Sequence, residues 1–293
     1  MNFGGSTNFI IRNIRFRIGQ NDASGTLVAE GAIATENCSN YIIDHCTVGW
    51  SVEENMNTQD SHFLTVQYCL VHEGLYNAGH PKGARGYGSQ WGGSPATYHH
   101  NVLAHNNSRS PRIKGALGED KVVFMEYVNN VNYNYAKEGG CYGGENTADV
   151  TPKTDESGEI VNSRHECNFM NNYYKGGPAS STSSVCFVNS SYARDGATSH
   201  GPAKWFVDGN VSTVNASATA DNWKGMKAEK YILAQIRADE RIVPKYPYYR
   251  YTLAGGEGRY NPADYMLTNI ETAEAAYKNL VVDKNVGCIN KDK

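Results

Sequence analysis

A polar residue recurs at the same place in seven short, strand-like runs between residues 8 and 211. The runs are rich in β-branched and aromatic residues, and loops of variable length separate them. An amide side chain at one place in successive strands can bond the backbone of the neighbouring strands at a bend. This repeat is typical of a parallel β-helix, a solenoid of stacked coils. The recurrent residues are Asn13, His45, Tyr68, Asn101, Asn130, Asn172 and Asn210.

The competing fold is a β-sandwich, in which turns recur about every 8 to 12 residues. The gaps here are longer and uneven, because Asn130 and Asn172 lie almost twice as far apart as His45 and Tyr68. The sequence therefore favours an all-β solenoid. Cys46 and Cys69 each follow the recurrent position by one residue. We expect them to stack in the interior as buried free thiols, since a disulfide between in-register strands would need distortion.

The pattern changes after the seventh run, which predicts a solenoid over residues 1–215 and a C-terminal tail over residues 216–293. Within the tail, Asn222 to Glu240 and Thr268 to Val281 predict helices, the second with a capping box of Thr268 and Glu271. We expect this tail to wrap back on the solenoid and cover strand edges.

A second change of composition lies within the solenoid. Residues 136–165 are rich in Gly, Thr, Glu and Asp, which predicts a long loop between coils.

The charge balance argues against nucleic acid as a partner. The formal net charge is −3 and 19% of the residues are charged, with no excess of Lys and Arg, whereas phosphate binding needs concentrated cations. No apolar run approaches the length of a membrane span, and residues 1–5 have neither the charged leader nor the apolar core of a signal peptide.

Four carboxylates fall in the first two runs and the loops beside them. Residues from neighbouring coils come side by side in a solenoid, so these carboxylates can converge on one lateral face. Hard oxygen ligands gathered there would suit calcium. The alternative is an exposed Glu–Glu pair on a solvated loop. The four residues are Glu30, Asp44, Glu53 and Glu54.

Cations and histidines follow. The Gly-rich loop after His80 carries two cations, Lys82 and Arg85, and a histidine pair stands at His99 and His100. Because neighbouring residues of a strand point to opposite faces, this pair cannot bind one ion, and we expect structural roles for it.

Arg109, Arg112 and Lys114 fall within six residues in the loop that leaves the Asn101 coil. Cations so close repel one another, so an anion is expected to face them, unless the segment is a solvated basic loop. Carboxylates holding calcium, with cations on the same side of a solenoid, together describe a cleft for a polyanionic carbohydrate.

These motifs closely resemble pectate lyases of polysaccharide lyase family 1, in the branch common among bacterial polysaccharide degraders. The similarity is specific from about residue 8 to residue 135 and looser beyond. The matching segments are Ile42 to Ser51 with Glu53 and Glu54, Thr65 to Cys69, His80 to Gly83, Gly86 to Gly93, and His99 to Arg112.

The resemblance implies a right-handed parallel β-helix that cleaves polygalacturonate or pectin by calcium-dependent β-elimination. It also implies a monomer that is secreted, periplasmic or displayed at the cell surface. In the family signature Arg-x-Pro-x-x-Arg the first Arg is the base, a role that falls to Arg109. Lys114 takes the last position, Arg112 is an additional cation between them, and Lys82 corresponds to a Lys that contacts substrate carboxylate.

The calcium carboxylates of the family correspond to Glu53 and Glu54. An earlier family Asp, which precedes an Ala, corresponds to Gly31, with Glu30 beside it. Family members carry a long segment ahead of the strand that begins near Asn8, so we expect an N-terminally incomplete chain.

Two other functions remain open from the sequence. A β-helical glycoside hydrolase on pectic polysaccharide would need two carboxylates flanking the bond and would release saturated ends. A non-catalytic carbohydrate-binding solenoid would present the same cleft without turnover.

Overall fold

Three parallel sheets of seven strands each form the body of the molecule. The computed structural model describes residues 1–118, 122–136, 140–148, 164–180, 187–190, 203–228, 233–244, 250–253, 256–259 and 262–288. We call the sheets I, II and III in the order in which the chain first visits them. One strand from each makes a coil, numbered along the chain. The predicted all-β solenoid, a parallel β-helix, is confirmed.

In each coil the strand of sheet I is the longest. They are Thr7–Arg12, Ser39–Asp44, His62–Gln67, Ala96–His99, Val122–Val128, Arg164–Met170 and Lys204–Asp208. Sheet II consists of Arg15–Arg17, Thr47–Gly49, Leu70–His72, Val102–Ala104, Val131–Tyr133, Tyr173–Lys175 and Val211–Ser212. Sheet III consists of Ile33–Ala34, Glu54–Asn57, Tyr87–Trp91, Arg112–Ile113, Cys141–Gly143, Val188–Ser190 and Met226–Ala228.

Equivalent residues of successive coils stack inside the solenoid. The ring centroids of Phe9 and Tyr41 are 4.8 Å apart, and those of Tyr127 and Phe169 are 5.0 Å apart. Such offset stacks follow from parallel in-register strands, which lie about 4.8 Å apart. Cys46 and Cys69 are buried free thiols in adjacent coils, as expected.

A ladder of buried asparagines runs along the bend between sheets I and II. The Oδ1 of Asn130 accepts from the backbone N of Asn101 at 3.0 Å, and the Oδ1 of Asn172 accepts from the backbone N of Asn130 at 2.9 Å. The Oδ1 of Asn210 continues the ladder to Asn172 at 2.9 Å, and Asn222 ends it with a 2.7 Å bond from the backbone N of Asn210. These amides saturate the backbone of the bend from within.

The recurrent position predicted from the sequence is shifted by one residue from Asn101 onward. The Oδ1 of Asn101 accepts from the backbone N of Cys69 at 2.9 Å, so Asn101 stacks on Cys69 and not on Tyr68. Tyr68 is instead equivalent to His100, and both have positive φ angles, 51° and 55°. At each bend, a residue with a left-handed backbone conformation is followed by a buried residue. Asn is favourable at both positions.

The segment expected to form a loop at 136–165 contributes to the sheets. Its described part contains the fifth strand of sheet III, Cys141–Gly143, and the strand Asn146–Ala148, which pairs with Ala116–Gly118 in a small parallel sheet. The sequence does not reveal this strand because three residues are too few to show a periodic pattern.

The predicted helix from Asn222 to Glu240 is wrong. This stretch forms a 3₁₀ turn at Asn222–Gly225, the last strand of sheet III at Met226–Ala228, and a short helix at Leu233–Ile236. The solenoid therefore continues past residue 215. The remaining short elements are the helix Ala216–Ala220, the hairpin strands Arg250–Leu253 and Gly256–Arg259, and the 3₁₀ turn Pro262–Tyr265.

The C-terminal helix is shorter than predicted, with an α-helical turn at Ala273–Tyr277 followed by a π-helical turn at Lys278–Val282. Its N-cap is Thr272, whose side chain accepts from the backbone N of Ala275. The predicted capping box of Thr268 and Glu271 is wrong, because the backbone N of Glu271 bonds to the Oδ1 of Asn129 on the solenoid.

The tail wraps back along the solenoid. Arg241 pairs with the buried Glu126 of the fifth coil at 2.6 Å. At the far end of the tail, the backbone N of Cys288 donates to the Oγ1 of Thr47 in the second coil at 2.7 Å. The tail thus covers the lateral bend between sheets I and II. No helix in the described part of the chain has the length and apolar composition to cross a membrane.

Candidate active site

Sheet III brings the candidate residues together on its strands and on the loops beside them. Glu54 of the second coil is in register with Tyr87 of the third, and Tyr87 bridges to Ser108 of the fourth. Arg109 directly follows this bridge. Three consecutive coils therefore place Glu54, Tyr87 and Ser108 in one row across the sheet, with Arg109 one residue beyond it.

The backbone of Arg109 is fixed in an unusual conformation. Its φ angle is 54°, in the left-handed region that non-glycine residues seldom adopt. The backbone N of Ser89 donates to its carbonyl oxygen at 2.6 Å. A Cβ atom at Gly88 would lie 2.6 Å from the same oxygen, so the approach requires glycine at position 88. The loop is therefore held closely against the third coil.

The side chain of Arg109 reaches back over the row. Its guanidinium carbon lies 4.2 Å from the centroid of the Tyr87 ring, and Nη1 forms an ion pair with Oε1 of Glu54. Nη1 also donates to Oε1 of Gln90 at 3.3 Å. The side chain is 16% exposed, so it stands at the boundary between the protein and solvent.

The environment of Arg109 lowers its pKa. Burial is the main cause, because it penalises the charged guanidinium, and the neighbouring Arg112 adds a repulsive contribution. The side chains of Tyr142 and Glu53 act in the opposite direction. A lowered pKa is what a basic role requires of an arginine, which otherwise stays protonated.

Glu53 contacts a second arginine and a histidine. The Nη2 of Arg85 donates to its Oε1, the Nε of Arg85 faces its Oε2, and Nε2 of His80 lies 3.0 Å from Oε2. The guanidinium carbon of Arg85 also lies 4.6 Å from the centroid of the Tyr87 ring. Tyr87 therefore contacts both guanidinium groups that neutralise the Glu53–Glu54 pair.

Arg112 and Lys114 are buried, with 4% and 6% exposure. Arg112 pairs with Glu145 at 2.5 Å and donates to Gln90 at 2.8 Å, and Lys114 pairs with Asp60. We expected an external anion to face this cluster. Protein carboxylates face these two cations instead.

Lys82 remains at the surface. Its side chain is exposed on the loop after His80, whose Nδ1 accepts from the backbone N of Lys82 at 3.0 Å. This lysine can reach a ligand without breaking an ion pair described in the structure.

The structure does not bring the four acidic residues together. Asp44 ends a strand of sheet I, where it pairs with Arg12 and His45, both at 2.6 Å. Glu30 is exposed in the loop of the first coil. Only Glu53 and Glu54 stand near Arg109.

The residues present do not fit a preformed calcium site. Among the described residues, no three His, Cys, Asp or Glu side chains gather as a metal-binding group. Both glutamates that stand near Arg109 already face guanidinium groups. At the position of the expected third ligand, a Cβ on Gly31 would lie 2.6 Å from the carbonyl oxygen of Glu54, which leaves no room for a side chain. Calcium takes six to eight oxygen ligands, and at this site water would have to supply most of them.

The histidine pair has the structural role expected for it. Nδ1 of His99 and Nδ1 of His100 are 2.8 Å apart, and the ring of His100 stacks on Tyr68 with a centroid distance of 5.1 Å. Burial lowers the pKa of His100 to about 4 and, together with the charge of His100, that of His99 to about 3.

Five residues that surround Arg109 and its neighbours in the structure were not predicted as site residues from the sequence. Two of them, Tyr142 and Glu145, lie in the segment taken for a loop. Counting coils would have indicated a fifth strand of sheet III there, since every coil needs one. The five are Arg85, Tyr87, Gln90, Tyr142 and Glu145.

Comparison with known proteins confirms the similarity to pectate lyases. A probable pectate lyase C of Aspergillus fumigatus is 25% identical over 257 residues, which cover 87% of this chain and 50% of the relative. A probable pectate lyase C of Aspergillus terreus is 26% identical over 225 residues, which cover 76% of this chain and 45% of the relative. The chain spans about half the length of the curated relatives it matches. No family model matches it.

A solved structure is also similar. The crystal structure of a pectate lyase from Bacillus sp. N165 in complex with trigalacturonate matches with a TM-score of 0.42 and 15% sequence identity. The match covers 95% of this chain and 76% of that chain. Placement in polysaccharide lyase family 1, and in its bacterial branch, stays a prediction.

Proposed function

We propose that the chain carries the catalytic face of a polysaccharide lyase that cleaves polygalacturonate or a related pectic polyuronate by β-elimination, with Arg109 as the base. The observation that carries the proposal is the contact of the Arg109 side chain with Glu54 and the Tyr87 ring, which holds one partly exposed guanidinium at the surface of sheet III. The similarity to pectate lyases supports it.

In the proposed reaction, neutral Arg109 removes the proton from C5 of a uronate. The electrons of the C5–H bond form a double bond between C4 and C5, and the bond from C4 to the glycosidic oxygen breaks. The departing oxygen takes a proton from solvent, and Arg109 returns its proton to solvent. No electrons are lost or gained, and the product has one unsaturated end.

Two properties of the site favour this step. Burial and the nearby Arg112 lower the pKa of Arg109, which is the direction that a basic role requires. Charge that develops on the substrate carboxylate meets guanidinium groups already fixed in place, so little reorganisation is needed. The exposed Lys82 would hold a further uronate carboxylate along the chain of the substrate.

Calcium was expected from the resemblance, but the mechanism above uses no metal step, because the donor set does not fit one. The secreted or cell-surface location and the monomeric state expected from the resemblance stay part of this proposal.

A glycoside hydrolase is disfavoured because its two carboxyl groups must flank the scissile bond. Glu53 and Glu54 instead pair with Arg85 and Arg109. The deciding experiment incubates the protein with polygalacturonate and analyses the new chain ends. Unsaturated ends, detected by their ultraviolet absorbance, support the lyase. Saturated ends indicate a hydrolase, and tight binding without new ends indicates a non-catalytic carbohydrate-binding solenoid.

A further inference from the structure

Two glutamates and two arginines form a charge-balanced cluster at the candidate site. Glu53 faces Arg85, and Glu54 faces Arg109, with the Tyr87 ring in contact with both guanidinium groups. A calcium ion between the two carboxylates would stand beside two guanidinium groups. Because like charges at such separations repel strongly in a partly buried site, the ion would have to displace at least one arginine.

Arg85 is held in this position by its backbone. Its N–H donates to the carbonyl oxygen of Tyr76 at 2.8 Å, and its carbonyl oxygen accepts from Nδ2 of Asn107 at 3.1 Å. The next residue, Gly86, has a φ angle of 66°, and a Cβ there would lie 2.9 Å from the Cα of Tyr76. The loop therefore fixes the backbone from which the Arg85 side chain reaches Glu53.

The guanidinium of Arg85 keeps donors for a ligand. An arginine has five N–H groups, and the ion pair with Glu53 uses its Nη2 and Nε side. The planar fork matches a carboxylate in geometry as well as in charge. The side chain is 12% exposed, so part of it is accessible to a ligand from solvent.

We propose that Arg85 takes the place of a protein-bound calcium ion: its guanidinium forms a receptor for a uronate carboxylate that works without calcium. This inference rests on the proposed function for the identity of the ligand. It concerns recognition of the carboxylate and not the elimination step, so it can be tested without turnover.

The first test measures calcium binding by isothermal titration calorimetry. The wild-type protein shows no saturable binding of millimolar calcium, whereas Arg85→Ala gains it, because Glu53 and Glu54 lose one neutralising cation. Arg85→Lys, which keeps a positive charge, does not gain it. Arg15→Ala, which removes an exposed arginine on the first coil, is the matched control. Saturable calcium binding by the wild type would overturn the proposal.

The second test measures binding of trigalacturonate in chelator and in calcium. The wild-type dissociation constant changes less than about twofold between the two conditions. Arg85→Ala binds at least about tenfold more weakly in chelator, the loss of one strong charge-assisted contact, and calcium restores part of the affinity. A wild type that binds only in calcium, or in neither condition, would contradict the proposal.

The two proposals fail in different ways. Chelator-insensitive binding of trigalacturonate without any unsaturated product would support the calcium-free receptor and overturn the lyase reaction. Unsaturated product that disappears in chelator would support the lyase and overturn the receptor. Thermal unfolding of each variant, compared with the wild type, separates a local effect from loss of the fold.

Discussion

Arg109 and Glu54 form an ion pair across two steps of the solenoid, since Glu54 lies in the second coil and Arg109 in the fourth. Neighbouring parallel strands lie about 4.8 Å apart, so the guanidinium must cross the coil between them. Tyr87 of that third coil lies beneath it, with its ring centroid 4.2 Å from the guanidinium carbon. The pair therefore fixes the extended course of the Arg109 side chain.

Replacing Glu54 with Gln removes the counter-charge and keeps an oxygen that can accept a hydrogen bond. Loss of a neighbouring negative charge lowers the pKa of Arg109, so the pH at which kcat/KM reaches half its maximum moves to a lower value. Unfolding in urea should show a loss of about 2 kcal/mol, since a partly buried cation is left unpaired. Glu274→Gln, on the exposed face of the C-terminal helix, is the control. An unchanged pH profile would argue against Arg109 as the titrating base.

Tyr87 is a positioning residue for Arg109 and Arg85. Tyr87→Leu removes the ring under both guanidinium groups, and we expect kcat to fall by about 10-fold, since such contacts are worth about 1 to 2 kcal/mol when partly desolvated. Tyr87→Phe keeps the ring and should retain kcat within about twofold. Steady-state kinetics on polygalacturonate compares the two. Equal losses in both variants would indicate that the hydroxyl matters and the ring does not.

The asparagine ladder makes a stability prediction that is independent of function. The Oδ1 of Asn130 accepts from Asn101 and its Nδ2 donates to the carbonyl oxygen of Tyr98, both within 3.0 Å. Asn130→Ala leaves buried backbone groups without partners, which should cost about 3 kcal/mol in the free energy of unfolding. Asn21→Ala, at an exposed position, should change it by less than about 0.5 kcal/mol. Urea denaturation measures both, and a small effect at Asn130 would refute the role of the ladder.

His165 predicts loss of stability in acid. Burial lowers its pKa to about 3, whereas the same histidine in the unfolded chain has a pKa of about 6.5. The unfolded state therefore binds one more proton between these values, and stability falls as pH decreases below about 6.5. The contribution is roughly 2 kcal/mol between pH 7.5 and pH 5.

The matched variant is His165→Phe, which keeps a ring against Trp205, the partner of His165 in an edge-on contact at 5.3 Å. Denaturant unfolding at the two pH values should show a shallower pH dependence in the variant. The same slope in both proteins would mean that His165 does not titrate on unfolding.

The repeat of Asn and aromatic residues was sufficient to predict the solenoid, because each coil needs the same polar bend and the same buried faces. The repeat did not define the register, because Asn occurs at both positions of the bend. Asn129 has the left-handed backbone conformation, and Asn130 is the buried residue that follows it. Short strands of sheet III, such as Cys141–Gly143, were missed because two or three residues carry no periodic pattern.

The candidate site was predicted in part. Arg109, Glu53 and Glu54 were singled out from the sequence and lie together. The pairing of Arg112 with Glu145 and of Lys114 with Asp60 could not be read from the chain, because it depends on which loops meet across coils. Asp44 was expected in the same group, but it ends a strand of a different sheet, beside Arg12.

The most direct test of the account compares the wild type with Arg109→Ala on polygalacturonate, following the ultraviolet absorbance of the unsaturated product. Circular dichroism and thermal unfolding confirm that the variant keeps the fold. The account predicts that the wild type forms the product and that Arg109→Ala lowers the rate by at least about 1,000-fold, as expected on loss of a proton-transferring group together with its charge. Product formation by Arg109→Ala at the wild-type rate would contradict it.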